Sequence, residues 1–331
     1  MAPRGGAPAP AAVDSISPSV APLAPRNGAR GAAARRRSEV PATRRRASWP
    51  LLRARFDDLV ATFGPEHLSP DPLEVVRRYA SRDDVEVVGF LGASLAFGSA
   101  RGAVRSLEGL LARLGGPPAA AVRAWDFEDG VRRLHGWRHR WLGPRDASAA
   151  LTVLARVLRE HGSVEAFFAA GDARGGDGRG AGVRDALASF VERALALAPH
   201  GAPPRTSYWF SGPGRGPGTG GSSKRLCLFL RWMCRRDRMD PGPWTSVDPS
   251  RLVVPLDTHV ARIARYTGLL RRATSDWKAA EEVTAALRRF DPADPVRYDY
   301  ALCRLGILGT CPRRRERRQC AACPLFDVCL L

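Results

Sequence analysis

Asp257 stands in "VVPLDTHVARIARYTGLL" (Val253–Leu270), after a short apolar run and at the head of a helical pattern. Two roles suit a carboxylate there. Its oxygen can accept the free N–H groups of the first turn as an N-cap. It can also face a substrate from a rigid helix mouth, stabilising positive charge or activating a nucleophile. Upstream, Lys224 opens "KRLCLFLRWMCRRD" directly after the loop "SGPGRGPGTGGSS" (Ser211–Ser223). An amine in a first turn feels the positive helix end, which disfavours its charged form and suits a Schiff-base nucleophile. Contact with a phosphate is the plainer role for the same lysine.

The C-terminus reads "CPRRRERRQCAACPLFDVC", so Cys311, Cys320, Cys323 and Cys329 are spaced C-x8-C-x2-C-x5-C. The C-x2-C step brings two thiolates onto one turn, and two more complete a four-thiolate shell. Zinc and iron–sulfur clusters both take that shell, and the thiolate count does not choose between them. Cys227, Cys234 and Cys303 fall inside helical patterns and read as small core residues. The count of seven is odd and no export signal is evident, which argues against a disulfide framework. Between the first two cysteines of the tail lie Arg313, Arg314, Arg315, Arg317 and Arg318, with Glu316 as the single acid. A metal centre pinning that loop would turn a solvated charge run into a cationic finger for phosphates.

The glycine-rich loop fails the P-loop spacing. Gly216, Gly218 and Gly221 fit G-x-G-x-x-G, but no strand precedes them. With Gly220 they read either as a linker or as a hairpin whose N–H groups hold a backbone phosphate. Arg225 and the following helix mouth would support the hairpin role. His259, two residues past Asp257, is a candidate contact for the partner, against the plainer reading of a satisfied structural histidine. Tyr208, Trp209, Phe210 and Trp232 line a pocket or fill the core. "WRHRW" (Trp137–Trp141) offers Arg138 and Arg140 without indicating a role.

Helices must position these groups. Helical spacing recurs over Leu51–Phe63, Val85–Gly98, Ala103–Gly115, Ala147–Gly162, Val183–Leu197, Lys224–Asp237, Ala279–Phe290 and Pro295–Gly309. Gly115–Gly116–Pro117 is a stop signal, and Gly171–Gly182 reads as a flexible loop. Period-two alternation is scarce, so the expected class is all-α. Residues 1–48, rich in Ala, Pro and Arg, read as a disordered basic tail. Residues 49–310 form the helical region, and 311–331 the cysteine loop.

Bulk composition agrees with a polyanionic partner. Of 331 residues, 52 are Lys or Arg and 33 Asp or Glu, a net charge of +19. The pI is near 11.0. Nucleic acid or an anionic membrane surface suits such a balance, although a GC-rich genome also enriches arginine. No apolar run reaches the ~18 residues of a membrane span, and the N-terminus lacks the apolar core of a secretory signal. A cytoplasmic, nucleoid-associated monomer that does not enter membranes is the expectation.

The lysine helix, the "LDTHVARI" aspartate and the terminal cysteines, in that order, resemble the helix-hairpin-helix DNA glycosylase superfamily, especially its endonuclease III-like iron–sulfur branch. "KRLCLFLRWMCRRD", "PLDTHVARIAR", "FDPADPVRYDYALCRLGI" and "WRHRW" resemble more closely the uncharacterised bacterial domain-of-unknown-function 2400 family, over roughly residues 50–331. The superfamily resemblance implies glycosylase-like helical domains with a C-terminal four-cysteine cluster loop. It also implies DNA as partner, with a base extruded into a pocket. Asp257 then matches the catalytic aspartate and Lys224 the lysine of lyase-competent members. Cys311, Cys320, Cys323 and Cys329 match the ligands of a [4Fe–4S] cluster, with zinc as the alternative. The chain departs from that pattern in three places: the compact "LPGVGxK" hairpin is replaced by the longer Gly/Pro/Ser loop, Lys224 and Asp257 lie 33 positions apart, much farther than in endonuclease III, and the first cysteine gap is two residues longer. A non-catalytic nucleic-acid-binding module of the same fold is the competing reading.

Overall fold

The computed structural model describes residues 46–172, 183–213 and 221–331. These residues belong to one compact unit. The tail reading over 1–48 lies outside them except for residues 46–48, where the Arg46 guanidinium donates to the Gly268 carbonyl. The expected loop over 171–182 and Gly216, Gly218 and Gly220 also lie outside, apart from Gly171 and Asp172.

Among the described residues every regular element is helical and no strand forms, as the missing period-two alternation predicts. The first half of the chain holds α1 (Trp49–Thr62), α2 (Pro72–Val76), α3 (Arg82–Leu95), α4 (Ala100–Leu114), α5 (Pro118–Arg123), α6 (Phe127–Arg133) and α7 (Pro144–His161). Next come α8 (Val164–Ala169), α9 (Arg184–Ala196), α10 (Thr206–Trp209) and α11 (Lys224–Cys234). The last part holds α12 (Thr258–Tyr266), α13 (Trp277–Arg288), α14 (Asp299–Ile307) and α15 (Arg317–Ala321).

Two helix pairings frame the interior: α3 against α11, and α12 against α14. α3 is the central helix. Its residues Val85–Leu95 are all buried, which its nearly continuous apolar run predicts. The one acid in that run, Glu86, is fully buried and fully used. It accepts the Val164 and Glu165 N–H groups that open α8, and the Trp244 indole N–H at 2.8 Å. Burial pushes its pKa up against those three donors. At Gly89 α11 packs close: a Cβ there would stand 2.6 Å from Met233 Cε, so the methionine end would have to move aside.

α11 ends at Cys234, three residues short of the expected Asp237. The cause is a buried ion network. Arg235 leaves the helix to reach Asp237, Asp240 and Asp294, while Arg231, one turn back, bonds Asp240 and Asp299. The chain folds back there, and the Gly242 and Trp244 N–H groups satisfy the terminal carbonyls of Trp232 and Met233.

Candidate functional site

A cavity of about 640 Å³ opens where α2, α4, α11 and α12 begin, with one side of α14 as its wall. Asp257, Lys224 and His259 all line it. The three groups singled out around "LDTH" and the lysine helix are therefore brought to one place, although a helix, a turn and a long loop separate them in sequence.

Asp257 is half-buried, and its two oxygens have different partners. Its Oδ1 accepts the His259 and Val260 N–H groups, each at 2.8 Å, and caps α12. Its Oδ2 stays on the cavity side, where the Cys303 thiol donates to it at 3.3 Å. Burial, then the charges of Asp257 and Asp299, push the Cys303 pKa well above its usual value, so the sulfur remains a protonated donor. Capping fixes one oxygen, and the backbone bonds that do so aim the other.

Lys224 begins α11, and its Nζ donates to the Ala96 carbonyl at 3.0 Å, at the end of α3. The residue before it, Ser223, is buried in the left-handed region at φ 51, ψ 29, with no partner for its hydroxyl. A serine held there costs about 1–2 kcal/mol, and such strain persists where neighbours over-determine the backbone. Ser222 Oγ donates to the Leu256 carbonyl at 3.0 Å, tying the entry of α11 to the entry of α12.

The mouths of α4, α11 and α12 open on the same cavity, so three positive dipole ends converge there. The guanidinium groups that line it are already paired: Arg231 with Asp299, Arg304 with Asp71 at 2.6 Å. Among the described residues the Lys224 amine bonds a neutral carbonyl alone. Asp299 behaves differently from an ordinary carboxylate. Burial, opposed by Arg231 and reinforced by the Asp257 charge, raises its pKa to about 6.

His259 packs onto α14 at Gly306, where an added Cβ would stand 2.5 Å from His259 Cβ. Burial lowers the His259 pKa. Asp257 opposes that shift, and the cations Arg262, Arg313 and Lys224 reinforce it. Gly306→Ala should therefore force α12 and α14 apart and cost about 1–3 kcal/mol, the range for overpacking. A urea unfolding curve checks this, and an unchanged midpoint would mean that the two helices slide freely.

The cysteine loop is anchored by the far end of α12. Arg262 donates to the Cys311 carbonyl at 2.9 Å, the Tyr266 hydroxyl to the Arg313 carbonyl at 2.8 Å, and the Leu330 N–H to the Tyr266 carbonyl at 2.7 Å. Leu325 and Val328 of the loop are buried in the common core. Cys311, Cys320, Cys323 and Cys329 are half-buried free thiols. They are close enough to act on one another. Burial first, and then the other three sulfurs, raise the Cys323 pKa to about 11, with the Leu325 N–H opposing. Among the described residues no three or more His, Cys, Asp or Glu side chains converge as a metal-holding group. Four cysteines are a donor set whose chemistry suits a soft cation, but the described side chains are not gathered around one point. Arg313, Arg314, Arg315 and Arg318 are exposed. Arg313 lies near enough to the cavity to lower the His259 pKa.

Arg225 is the clearest departure from expectation. Instead of facing a nucleic acid it turns inward. It lies 3.7 Å over the Tyr208 ring and donates to the Ser94 carbonyl and Ser211 Oγ. Burial lowers its pKa. Its donors serve the junction of α3, α10 and α11. Gly221, exposed, forms an isolated bridge with Asp276. Trp209, Phe210 and Trp232 are all core residues, and Trp232 also borders the cavity.

Cys303 and Asp299 border the site without having been expected there. Their signal stands in "DYALCRLG", where Asp299 and Cys303 are four residues apart and share one helix face. Nothing in that pattern tells that the face borders a cavity.

A family model described as "Protein of unknown function (DUF2400)" matches residues 71–308. No curated protein and no solved structure matches the chain.

Proposed function

Since the chain belongs to the DUF2400 family, whose description states no function, we propose its activity from the cavity: a DNA-binding protein of the base-excision-repair type, a DNA glycosylase acting on an extruded nucleotide, with Lys224 supplying AP-lyase chemistry. One observation carries this. A single cavity of about 640 Å³ holds the Asp257 carboxylate and the Lys224 amine among three helix mouths. That volume suits a nucleoside, and the helix mouths suit its flanking phosphates.

Breaking an N-glycosidic bond builds positive charge on the sugar. Asp257 Oδ2, aimed by the α12 cap, is placed to stabilise that charge and to take a proton from the attacking group. With Lys224 as that group, a bond forms between Nζ and the sugar C1′ while the glycosidic bond breaks. The bonding pair leaves with the base. Once Asp257 has taken one proton from the new secondary ammonium, the nitrogen lone pair expels O4′, which takes that proton up, and the sugar opens to a protonated iminium, the species borohydride reduces.

The helix order supports a helix-hairpin-helix glycosylase-like fold: the lysine helix, then the aspartate helix, then the cysteine loop. Cys311, Cys320, Cys323 and Cys329 would hold a [4Fe–4S] cluster, with zinc as the alternative. The bound group would supply a rigid tie for the loop. Arg313, Arg314, Arg315, Arg317 and Arg318 then meet backbone phosphates as the loop docks, and the protein acts as a nucleoid-associated monomer. A non-catalytic module of the same fold is the second reading, favoured by the cap that Asp257 provides to α12.

Incubation with a panel of lesion-bearing duplexes, scored for strand cleavage after alkali, tests the proposal. Cleavage at one lesion or more is expected, together with a borohydride-trapped adduct that Lys224→Ala abolishes. Binding without cleavage on any lesion selects the module. An adduct undiminished by Lys224→Ala removes the lysine from the chemistry.

A further inference from the structure

A second groove begins where the cavity ends. Its volume is about 440 Å³, and it shares Phe97 and Ser99 with the cavity lining. One wall is the solvent face of α4, carrying Arg105, Gly109 and Arg113. The other is the turn from Gly136 to Arg140, carrying Arg138 and Arg140. Among its described lining residues are four arginines and no carboxylate.

The groove is built rather than incidental. Ser106 on α4 holds the turn from several sides. Its carbonyl accepts the Trp137 indole N–H at 2.8 Å, and its Oγ lies 2.9 Å from His139 Nδ1 and 3.3 Å from the Arg138 carbonyl, to which it donates. His139 and Leu142 exchange backbone bonds of 3.0 and 2.9 Å, closing the turn. At its tip Arg140 sits in the left-handed region at φ 54, and its guanidinium lies 5.3 Å from the Trp141 ring centroid. Trp141 itself is 43% exposed, high for so large an apolar side chain. Arg105 and Arg138 are exposed.

We propose that this groove carries the backbone of the nucleic-acid strand whose nucleotide enters the Asp257 cavity, with Trp141 as a stacking platform for a neighbouring base. The inference rests on the functional reading above and deepens it. Arg105 and Arg113 stand eight residues apart on one helix, about 12 Å along its axis. That span covers about two phosphate steps of an extended strand. A basic groove lined with arginine and edged by an exposed aromatic is the arrangement that holds single strands without reading their sequence. The missing carboxylates matter as much as the arginines, since an acid in the lining would repel the phosphates it has to admit. The groove is also distinct from the arginine-rich cysteine loop, so two separate basic surfaces flank the cavity.

The test is a salt titration of binding to a fluorescent oligonucleotide containing a tetrahydrofuran abasic analogue. The wild-type chain, Arg105→Ala/Arg138→Ala, Trp141→Ala and Arg132→Ala are compared. Arg132 is an exposed residue of α6, outside the groove, and pairs with Asp129. The plot of log K against log salt should become shallower by about 0.7–0.9 for each phosphate the double variant no longer neutralises, and stay unchanged in Arg132→Ala. Trp141→Ala should weaken binding about five-fold or more with the slope preserved. A wild-type chain that binds, beside a double variant of equal slope, overturns the groove and leaves the proposed activity standing. A wild-type chain that binds anionic vesicles but no oligonucleotide overturns both.

Discussion

Asp240→Ala should cost the protein about 3–5 kcal/mol of folding stability, the range for removing one partner from a buried ion network. Asp240 is fully buried and is shared by two arginines that are themselves buried, at 3% and 5% exposure. It accepts Arg231 Nε and Nη2 at 3.1 and 2.9 Å, and Arg235 Nη1 bonds its Oδ2. Removing it strands donors on both guanidinium groups in a place water does not reach. Arg231 keeps Asp299 at 2.6 Å, and Arg235 keeps Asp237 and Asp294, so neither charge is left wholly alone. That moderates the loss without cancelling it. Domain stabilities run to about 5–15 kcal/mol, so the change should lower the urea midpoint by a large fraction while the m-value holds. If Asp240→Ala does not fold, Asp240→Asn carries the measurement. It keeps the shape and one acceptor, and should lose less. A midpoint unmoved in both variants would mean that the network contributes no more than a surface ion pair. The loss would also reach the cavity, because Arg231 is what holds Asp299 at its wall.

The parts of this site that are legible in the sequence are those with local causes. Asp257 is readable because an aspartate ahead of an apolar-periodic run marks a helix start, and it does cap α12. Lys224 is readable because a Gly/Pro-rich loop must end where a helix begins. The longer helices α1, α3, α4, α7, α9 and α13 announce themselves by period. α5, α8 and α10 are too short to show one, at 6, 6 and 4 residues. What stays hidden depends on distant partners. Arg225 is a candidate phosphate contact by its place after the Gly-rich loop, but Tyr208 and Ser211 arrive from another segment and draw it in. Cys303 reads as a small core residue until α12 places Asp257 Oδ2 3.3 Å from its sulfur. The early end of α11 is hidden for the same reason, since the acids that pull Arg235 off the helix include Asp294, far along the chain. The basic groove on α4 is a special case. Its arginines are plain in the sequence, yet it takes the Ser106 and Phe97 contacts to bring "WRHRW" alongside them.

Asp257→Asn should separate catalysis from everything else this residue does. The amide keeps an oxygen to accept the His259 and Val260 N–H groups, and asparagine caps as well as aspartate. The lost charge removes a favourable interaction with the α12 mouth of about 0.3–1 kcal/mol. Stability should therefore barely move. Affinity for an abasic-analogue duplex should hold or rise, because an anion leaves a cavity proposed to admit phosphates. The turnover, however, needs a full negative charge against the developing cation on the sugar, and an amide supplies only a dipole. Losing one preorganised electrostatic group of this kind costs roughly 10²–10³ in rate, so base release should fall at least that far on any lesion the wild-type chain processes. A second readout comes from the neighbouring acid. The Asp257 charge helps hold the Asp299 pKa at about 6, so in Asp257→Asn the Asp299 carboxyl should titrate lower, which carboxyl ¹³C shifts would show. The sign follows from linkage. A carboxyl raised in the folded state withholds stability as pH rises from its unfolded value to its folded one, so lowering the Asp299 pKa narrows that window. A variant with normal stability, normal binding, a shifted Asp299 and undiminished base release would show that Asp257 caps α12 and does nothing to the sugar. The same variant with release abolished would leave the Oδ2 charge as the one thing that had changed at the reacting bond.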